Sequence, residues 1–175
     1  MRSFIIFLII SLFIQIPGNA RVITDSIPAE TKDVDCQDAI IAALYSVISG
    51  PAGQARNWDR MRTLFLPEAK LVATGKKSDG MMGKRVMSLE EYIKVSGPFL
   101  EKDGFFENEI SRKTDQYGSV VHIFSTYESR RTLKDEKPFM RGINSIHHRL
   151  PSNHNWILLI PRIKGFSSFR VLRDS

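Results

Sequence analysis

The chain has 175 residues, a formal net charge of +6 and a single cysteine, Cys36. This length fits one domain that can bury a core without covalent staples, and one cysteine excludes an internal disulfide. Acidic residues interrupt the basic ones throughout, and no nucleic-acid-binding module accompanies the moderate positive charge. The composition therefore argues against nucleic-acid binding.

The first 20 residues predict a secretory signal peptide. Arg2 supplies a positive start, residues 4–16 are almost entirely apolar, and small residues lead up to Ala20 at the positions that a signal peptidase reads. The apolar run is shorter than the roughly 20 residues of a membrane-spanning helix. We expect cleavage after Ala20, a periplasmic or secreted protein, and no stable membrane anchor after signal cleavage.

Three helices are predicted in the first half of a domain over residues 33–163, after a flexible lead-in over 21–32. The first begins at Asp33 and has apolar residues at i, i+4, i+7 and i+8 from residue 40. The second begins after Asn57 as its cap. The third begins at Leu89 after a capping box of Ser88 and Glu91, and Pro98 ends or kinks it.

Strands dominate the rest of the domain. A first strand is predicted over 69–74, followed by a polar, mobile loop over 75–83. Beyond residue 104 the pattern has a period of two and predicts strands over 105–114, 120–131, 139–148 and 156–160. Helices first and hairpin-linked strands afterwards predict an α+β domain, with helices on one face of a curved antiparallel sheet.

Five segments carry a family resemblance through their order and spacing. They are residues 58–65, 88–93, 104–110, 122–130 and 141–146. Together they resemble bacterial proteins of the nuclear transport factor 2-like superfamily, often called SnoaL-like. The resemblance implies a cone-shaped α+β barrel of three N-terminal helices on a strongly curved antiparallel sheet. Members include steroid delta-isomerase, scytalone dehydratase and polyketide cyclases, alongside pocketed proteins with no known reaction, so the fold does not select a function.

Enzymatic members of the superfamily use an Asp, Tyr or His as acid or base in an apolar cavity, which makes Asp59 and His122 candidate catalytic residues. Asp59 lies where such a cone opens, although a carboxylate in the first turn of a helix is also favoured by the helix dipole alone. His122 lies mid-strand among apolar residues, where it is either a general base or a half-buried histidine with a structural partner.

Successive residues of the strand over 120–131 point to opposite faces, so either Tyr127 or Glu128 faces the cavity. We favour the face that carries His122, Phe124 and Glu128, because it groups two titratable side chains. The alternative places Tyr127 in the pocket and leaves Glu128 in surface ion pairs.

Three further residues are candidate ligand contacts. Trp58 belongs to the buried side of the second helix. Arg141 and Asn144 lie on the strand that returns beside residues 120–131, and Arg141 suits a carboxylate group. Both also fit a purely structural role, in cross-strand pairs or at strand edges.

No metal or cofactor is expected. His147, His148 and His154 suggest a metal site, but adjacent strand residues point to opposite faces and neither an acid nor a cysteine completes the set. The glycines of the 75–83 loop are not followed by the lysine-serine or lysine-threonine pair that ends a phosphate-binding loop.

The resemblance ends after Ile146, where Pro151 and Pro161 interrupt the strand pattern and the sequence becomes basic. We interpret this region as a divergent or frame-shifted end, with an irregular basic tail over 164–175.

These patterns predict an exported domain that binds a small, partly apolar ligand in a conical apolar pocket without turnover. Two alternatives stay open. One is an isomerase, dehydratase or cyclase that transfers protons through Asp59 or His122. The other is a homodimeric interaction module.

Overall fold

The computed structural model describes residues 29–76, 79–149 and 157–165. In this part of the chain the helices are α1 (Thr31–Val34), α2 (Gln37–Ile48), α3 (Trp58–Thr63) and α4 (Leu89–Asp103). The strands are β1 (Lys70–Lys76), β2 (Met82–Ser88), β3 (Phe106–Tyr117), β4 (Val120–Arg130), β5 (Met140–Arg149) and β6 (Ile157–Gly165). The predicted signal peptide, most of the predicted lead-in and most of the predicted tail lie outside the described residues. Among the helices of the described residues, none is long and apolar enough to cross a membrane.

All six strands belong to one sheet, in the order β2-β1-β6-β5-β4-β3. Neighbouring strands pair antiparallel except β1 and β6, which pair in parallel. The α+β class is confirmed, with the antiparallel expectation corrected at this one pair. A register shift between Glu109 and Ser111 interrupts the β3–β4 pairing, the kind of irregularity that bends a strand.

The predicted helix caps are present. Asn57 Oδ1 accepts the Arg60 N–H at 2.9 Å. Ser88 Oγ accepts the Glu91 N–H at 3.2 Å, and the Glu91 carboxylate accepts the Ser88 N–H at 2.6 Å, so the capping box is confirmed. The helix that follows it does not end at Pro98 but continues to Asp103, and Pro98 lies on its exposed side.

The predicted first helix is divided into α1 and α2. Cys36 lies between them, exposed, and its Sγ accepts the Ala39 N–H at 3.4 Å as the cap of α2. Cysteine therefore occupies a position that Ser, Thr, Asp or Asn fills in most helices.

The β1–β2 hairpin takes up both ends of the predicted polar loop. Gly75 pairs with Gly83 and Lys76 with Met82, so both strands extend into residues 75–83, of which 77–78 lie outside the described part.

The core lies between the helices and one face of the sheet. Helix α2 contributes a continuous apolar stripe to it, and α3, β1, β4 and β5 add buried residues: Ile40, Leu44, Val47, Ile48, Met61, Leu64, Leu71, Val121, Ile123, Tyr127 and Ile146. The stripe on α2 has the spacing from which the helix was predicted.

The burial pattern of β4 shows which of its faces the helices cover. Val121, Ile123, Ser125, Tyr127 and Ser129 are buried, and the residues between them are partly or fully exposed. Our preference for the opposite face, with His122, Phe124 and Glu128 toward the cavity, is therefore wrong.

Strand β6 is longer than predicted and occupies an inner position of the sheet. It begins at Ile157, runs past Ile160 to Gly165 and lies between β1 and β5. Pro161 sits within this strand, paired with Ile146, next to a register shift between His147 and His148. The expectation that Pro161 interrupts the strand is wrong, although proline has no N–H to donate to the ladder.

Candidate functional site

A cavity of about 30 Å³ lies between α2, α3, α4 and the helix-covered face of the sheet. Its walls are mostly apolar and aromatic, and include Phe65 and Met61. Two strongly polar side chains also line it, Glu107 from β3 and Asn144 from β5. A buried water needs about 10–15 Å³ of such volume, so the cavity admits roughly two water-sized groups.

Glu107 reaches the cavity because β3 places it on the helix-covered face. Its residue exposure is 7%. Its backbone N–H donates to Ser49 Oγ at 3.0 Å, just beyond the end of α2. Across the strand pair, Ser129 Oγ donates to Glu107 Oε2 at 2.9 Å, and Asn144 Nδ2 lies 3.4 Å from Oε1. Both carboxylate oxygens therefore have a donor, but both donors are neutral.

Burial dominates the electrostatics of this carboxyl. It raises the pKa of Glu107 to about 7, although the hydrogen bonds from Ser129 and Asn144 favour the ionised form and lower the pKa. No ion pair reaches Glu107 from any described Lys, Arg or His. Near neutral pH the group therefore exists in both protonation states.

A buried hydrogen-bond network fixes the orientation of the Tyr45 hydroxyl. Ser125 donates its proton to the Glu109 carboxylate, which is also paired with Arg112. Tyr45 Oη lies 2.7 Å from Ser125 Oγ, and Asn144 Nδ2 donates to Tyr45 Oη at 3.1 Å. Because the only Ser125 proton is already used, Tyr45 donates to Ser125 and accepts from Asn144.

Two buried polar atoms near this network have no hydrogen-bond partner within the described part of the chain: Asn144 Oδ1 and Tyr127 Oη. Such atoms are rare in folded proteins and call for an explanation. Asn144 is only 4% exposed, and both hydrogens of its amide group are directed to Tyr45 and Glu107. Its carbonyl oxygen is therefore a buried acceptor that no described donor uses.

The two candidate catalytic residues lie away from the cavity. Asp59 is exposed and pairs with Arg62 at 2.7 Å. His122 lies on the open face of the sheet, where its Nε2 is 2.8 Å from Ser145 Oγ and its ring stacks on His147 with centroids 4.1 Å apart.

The candidate ligand contacts are divided between the two sides of the sheet and the helices. Phe124 and Arg141 lie exposed on the open face, and Glu128 sits there between Arg130 and Arg141, with Arg141 Nη2 at 3.2 Å. Trp58 donates its indole N–H to Glu101 at 3.1 Å and does not line the cavity.

Only two of these candidates lie on the covered face, namely Asn144, which lines the cavity, and Tyr127, which packs against Tyr45 with ring centroids 6.5 Å apart. Sequence reasoning missed Glu107, Tyr45 and Tyr92. A signal for Glu107 was available, since it shares the strand phase of Phe105, which is buried.

No group of three or more His, Cys, Asp or Glu side chains that suits a metal occurs in the part of the chain described. His147 stacks on the open face, whereas the adjacent His148 is buried in the sheet.

No family model and no curated protein matches this chain. Solved structures do match it. A protein of unknown function with a cystatin-like fold from Nostoc punctiforme has a TM-score of 0.51 at 14% identity, over 76% of this chain and 90% of that one. A protein of unknown function from Mycobacterium tuberculosis has a TM-score of 0.52 at 11% identity, over 75% and 70%.

A nuclear transport factor 2-like protein of unknown function from Silicibacter pomeroyi also matches, with a TM-score of 0.46 at 14% identity over 73% of this chain and 91% of that one. The chain shares the cystatin-like fold of the Nostoc punctiforme protein. This confirms the α+β class that the sequence predicted. At such low identities the similarity shows the fold alone.

Proposed function

We propose that this chain binds a small, partly apolar molecule whose polar head group enters the cavity and hydrogen-bonds to Glu107 and Asn144. The observation that carries the proposal is the pair itself: a carboxyl 7% exposed and an amide 4% exposed line an otherwise apolar cavity. A core residue chosen for packing alone is rarely a carboxyl without a cationic partner, because burying its charge is costly.

The volume limits the ligand. About 30 Å³ holds a head group but not a ring system. The apolar tail of the ligand therefore extends along the wall formed by Met61 and Phe65, and the unbranched, flexible side chain of Met61 is the one that moves most readily to make room.

A cavity-filling variant tests this proposal. Leu71→Phe adds volume at a buried wall position, whereas Val86→Phe introduces the same phenyl ring at an exposed position of the neighbouring strand. Small fragments would be screened by two-dimensional NMR against the unmodified protein. We expect Leu71→Phe to abolish the binding of fragments that shift cavity resonances, and Val86→Phe and His122→Ala to leave it unchanged. Binding that survives Leu71→Phe, or no fragment binding at all, contradicts the proposal.

An acid–base enzyme is the second candidate, and one observation favours it. The pKa of Glu107 lies at about 7 within an apolar cavity, and a general acid or base works best when its pKa is close to the working pH. Glu107 would take a proton from a bound substrate and return it at a different atom. Under this function Glu107→Gln abolishes turnover but retains substrate binding, and the rate changes with an inflection near pH 7.

Export is a further proposal, supported by the signal-like pattern of residues 1–20. It is tested by expressing the full chain with its own leader and measuring the mass of the protein outside the cytoplasm. The expected N-terminus is Arg21. Protein that remains in the cytoplasm with its leader attached contradicts export.

A further inference from the structure

Glu107 has no cationic partner among the described residues, unlike three other buried or partly buried carboxylates of the chain. Asp33 pairs with Arg60, Glu109 with Arg112, and Glu128 with two arginines. Within the described ranges Glu107 has only the neutral donors Ser129 and Asn144. A buried carboxylate without a countercharge is unfavourable, so an added cation would be strongly attracted to it.

Several of the hydrogen-bond donors around the cavity are already used. The Asn144 amide hydrogens are directed to Tyr45 and Glu107, the Tyr45 proton goes to Ser125, and the Ser129 proton goes to Glu107. The unused capacity includes two acceptors, Asn144 Oδ1 and the remaining lone pairs of the Glu107 carboxylate. The hydroxyls of Tyr92, which lines the cavity, and of Tyr127 can also donate or accept. A ligand that brings its own donors can use the two unpaired acceptors.

Aromatic rings complete the environment. Tyr45, Phe65 and Tyr92 all line the same cavity. The electron-rich faces of such rings attract ammonium groups, and the attraction is stronger where water is excluded. The same walls disfavour an anionic ligand, which would also be repelled by Glu107.

We infer that the ligand of this cavity is a small amine, bound as its ammonium ion, which donates hydrogen bonds to the Glu107 carboxylate and to Asn144 Oδ1. This inference rests on the proposed binding function and narrows its ligand class. An ammonium group matches the cavity in size, since it is as small as a water molecule. It also supplies three donors and the missing positive charge.

The test compares three probes of similar size and different charge: n-propylamine, propan-1-ol and propionate. Each is titrated at pH 8 into uniformly labelled full-length protein, and shifts of the Asn144 side-chain amide are followed by NMR. Charge-assisted hydrogen bonds are roughly twice as strong as neutral ones. We expect propylamine to bind at least ten times more tightly than propanol, and propionate not to bind.

In Glu107→Gln, propylamine and propanol should bind with about equal affinity. Glu128→Gln is the matched control, because it removes a strand carboxylate from the open face of the same sheet. This variant should keep the full preference. Equal binding of amine and alcohol, or a preference that survives Glu107→Gln, overturns the inference but leaves small-molecule binding intact. If none of the probes or fragments binds, both proposals fail.

If Glu107→Gln does not fold, the pH dependence of binding to the unmodified protein is an independent test. The titratable groups around Glu107 are Tyr45 from α2, Tyr92 from α4 and Tyr127 from β4, and burial raises the pKa of each, so they stay neutral. Glu109 on the same strand is held by Arg112 and Ser125. Below the pKa of Glu107 its ionised fraction falls about tenfold per pH unit. The preference for propylamine over propanol should therefore fall by about the same factor. A preference that is constant from pH 5 to 8 overturns the inference.

Discussion

Replacing Glu107 with Gln should remove a pH dependence from the stability of this protein. The pKa of Glu107 is about 7 in the folded protein, against an ordinary value of 4.5. Between these two pH values the folded state holds a proton that the unfolded state has lost. The free energy of unfolding therefore falls as the pH rises from 4.5 through 7, and the stabilising effect is complete only below 4.5. The difference between the two pKa values corresponds to about 3 kcal/mol.

The glutamine variant keeps the local hydrogen bonds. Its amide oxygen accepts from Asn144 Nδ2, and its amide nitrogen donates to Ser129 Oγ, because a hydroxyl group is both donor and acceptor. At pH 8 Glu107→Gln should therefore be more stable than the unmodified protein by up to about 3 kcal/mol, and at pH 4.5 the two should be nearly equal.

Urea unfolding followed by circular dichroism at pH 4.5, 6, 7 and 8 measures this difference. Glu128→Gln is again the control, and its effect has the opposite sign: hydrogen bonds from Arg130 and then Arg141 lower the pKa of Glu128, so its contribution is present at neutral pH and is lost in acid. If the stability difference between Glu107→Gln and the unmodified protein is constant from pH 4.5 to 8, the carboxyl is solvated or paired and the reasoning is refuted.

Three further predictions concern the frame of the fold. Asp33→Asn should lower the free energy of unfolding by about 2 kcal/mol at pH 7, because Arg60 donates to both Asp33 oxygens at 2.7 and 2.9 Å. The hydrogen bonds from Arg60 hold the pKa of Asp33 below 3.8, so this loss of stability should vanish as the pH falls through that pKa. A loss that persists in acid contradicts this prediction. Gly104→Ala should destabilise the protein by more than Gly118→Ala in thermal unfolding, since φ is positive at both positions (72° and 57°) but only at Gly104 does an added Cβ lie 2.8 Å from a backbone oxygen. Ser88→Ala should cost about 1 kcal/mol in urea unfolding through loss of the capping box, and an unchanged midpoint would show that the cap is not stabilising.

The elements that the sequence predicted well depend on local chemistry. The capping box of Ser88 and Glu91 and the cap at Asn57 need only residues three positions apart. The apolar stripe of α2 and the two-residue period of β4 are likewise visible within a short window. These signals fix the existence and starting points of elements before any tertiary contact forms.

The predictions that were wrong concern features that depend on contacts between residues distant in the sequence. Which face of β4 is covered depends on the position of the helices, and His122 with Glu128 resembled a site only because both are titratable. The structure shows that Glu128 is instead satisfied on the open face by Arg130 and Arg141. In the same way, the parallel pairing of β1 with β6 joins segments about 90 residues apart and leaves no local signal.

Stability alone does not account for a carboxyl at position 107. A glutamine can make the same contacts to Ser129 and Asn144 without a charge to bury, and at neutral pH it should make the protein more stable. Sites that contradict the requirements of the surrounding core are where functional groups are expected. An ammonium ligand would reverse the disadvantage, because it binds the folded protein with Glu107 ionised and stabilises it by mass action. Stabilisation by propylamine should therefore be largest above pH 7, where the protein alone has lost the contribution of the bound proton.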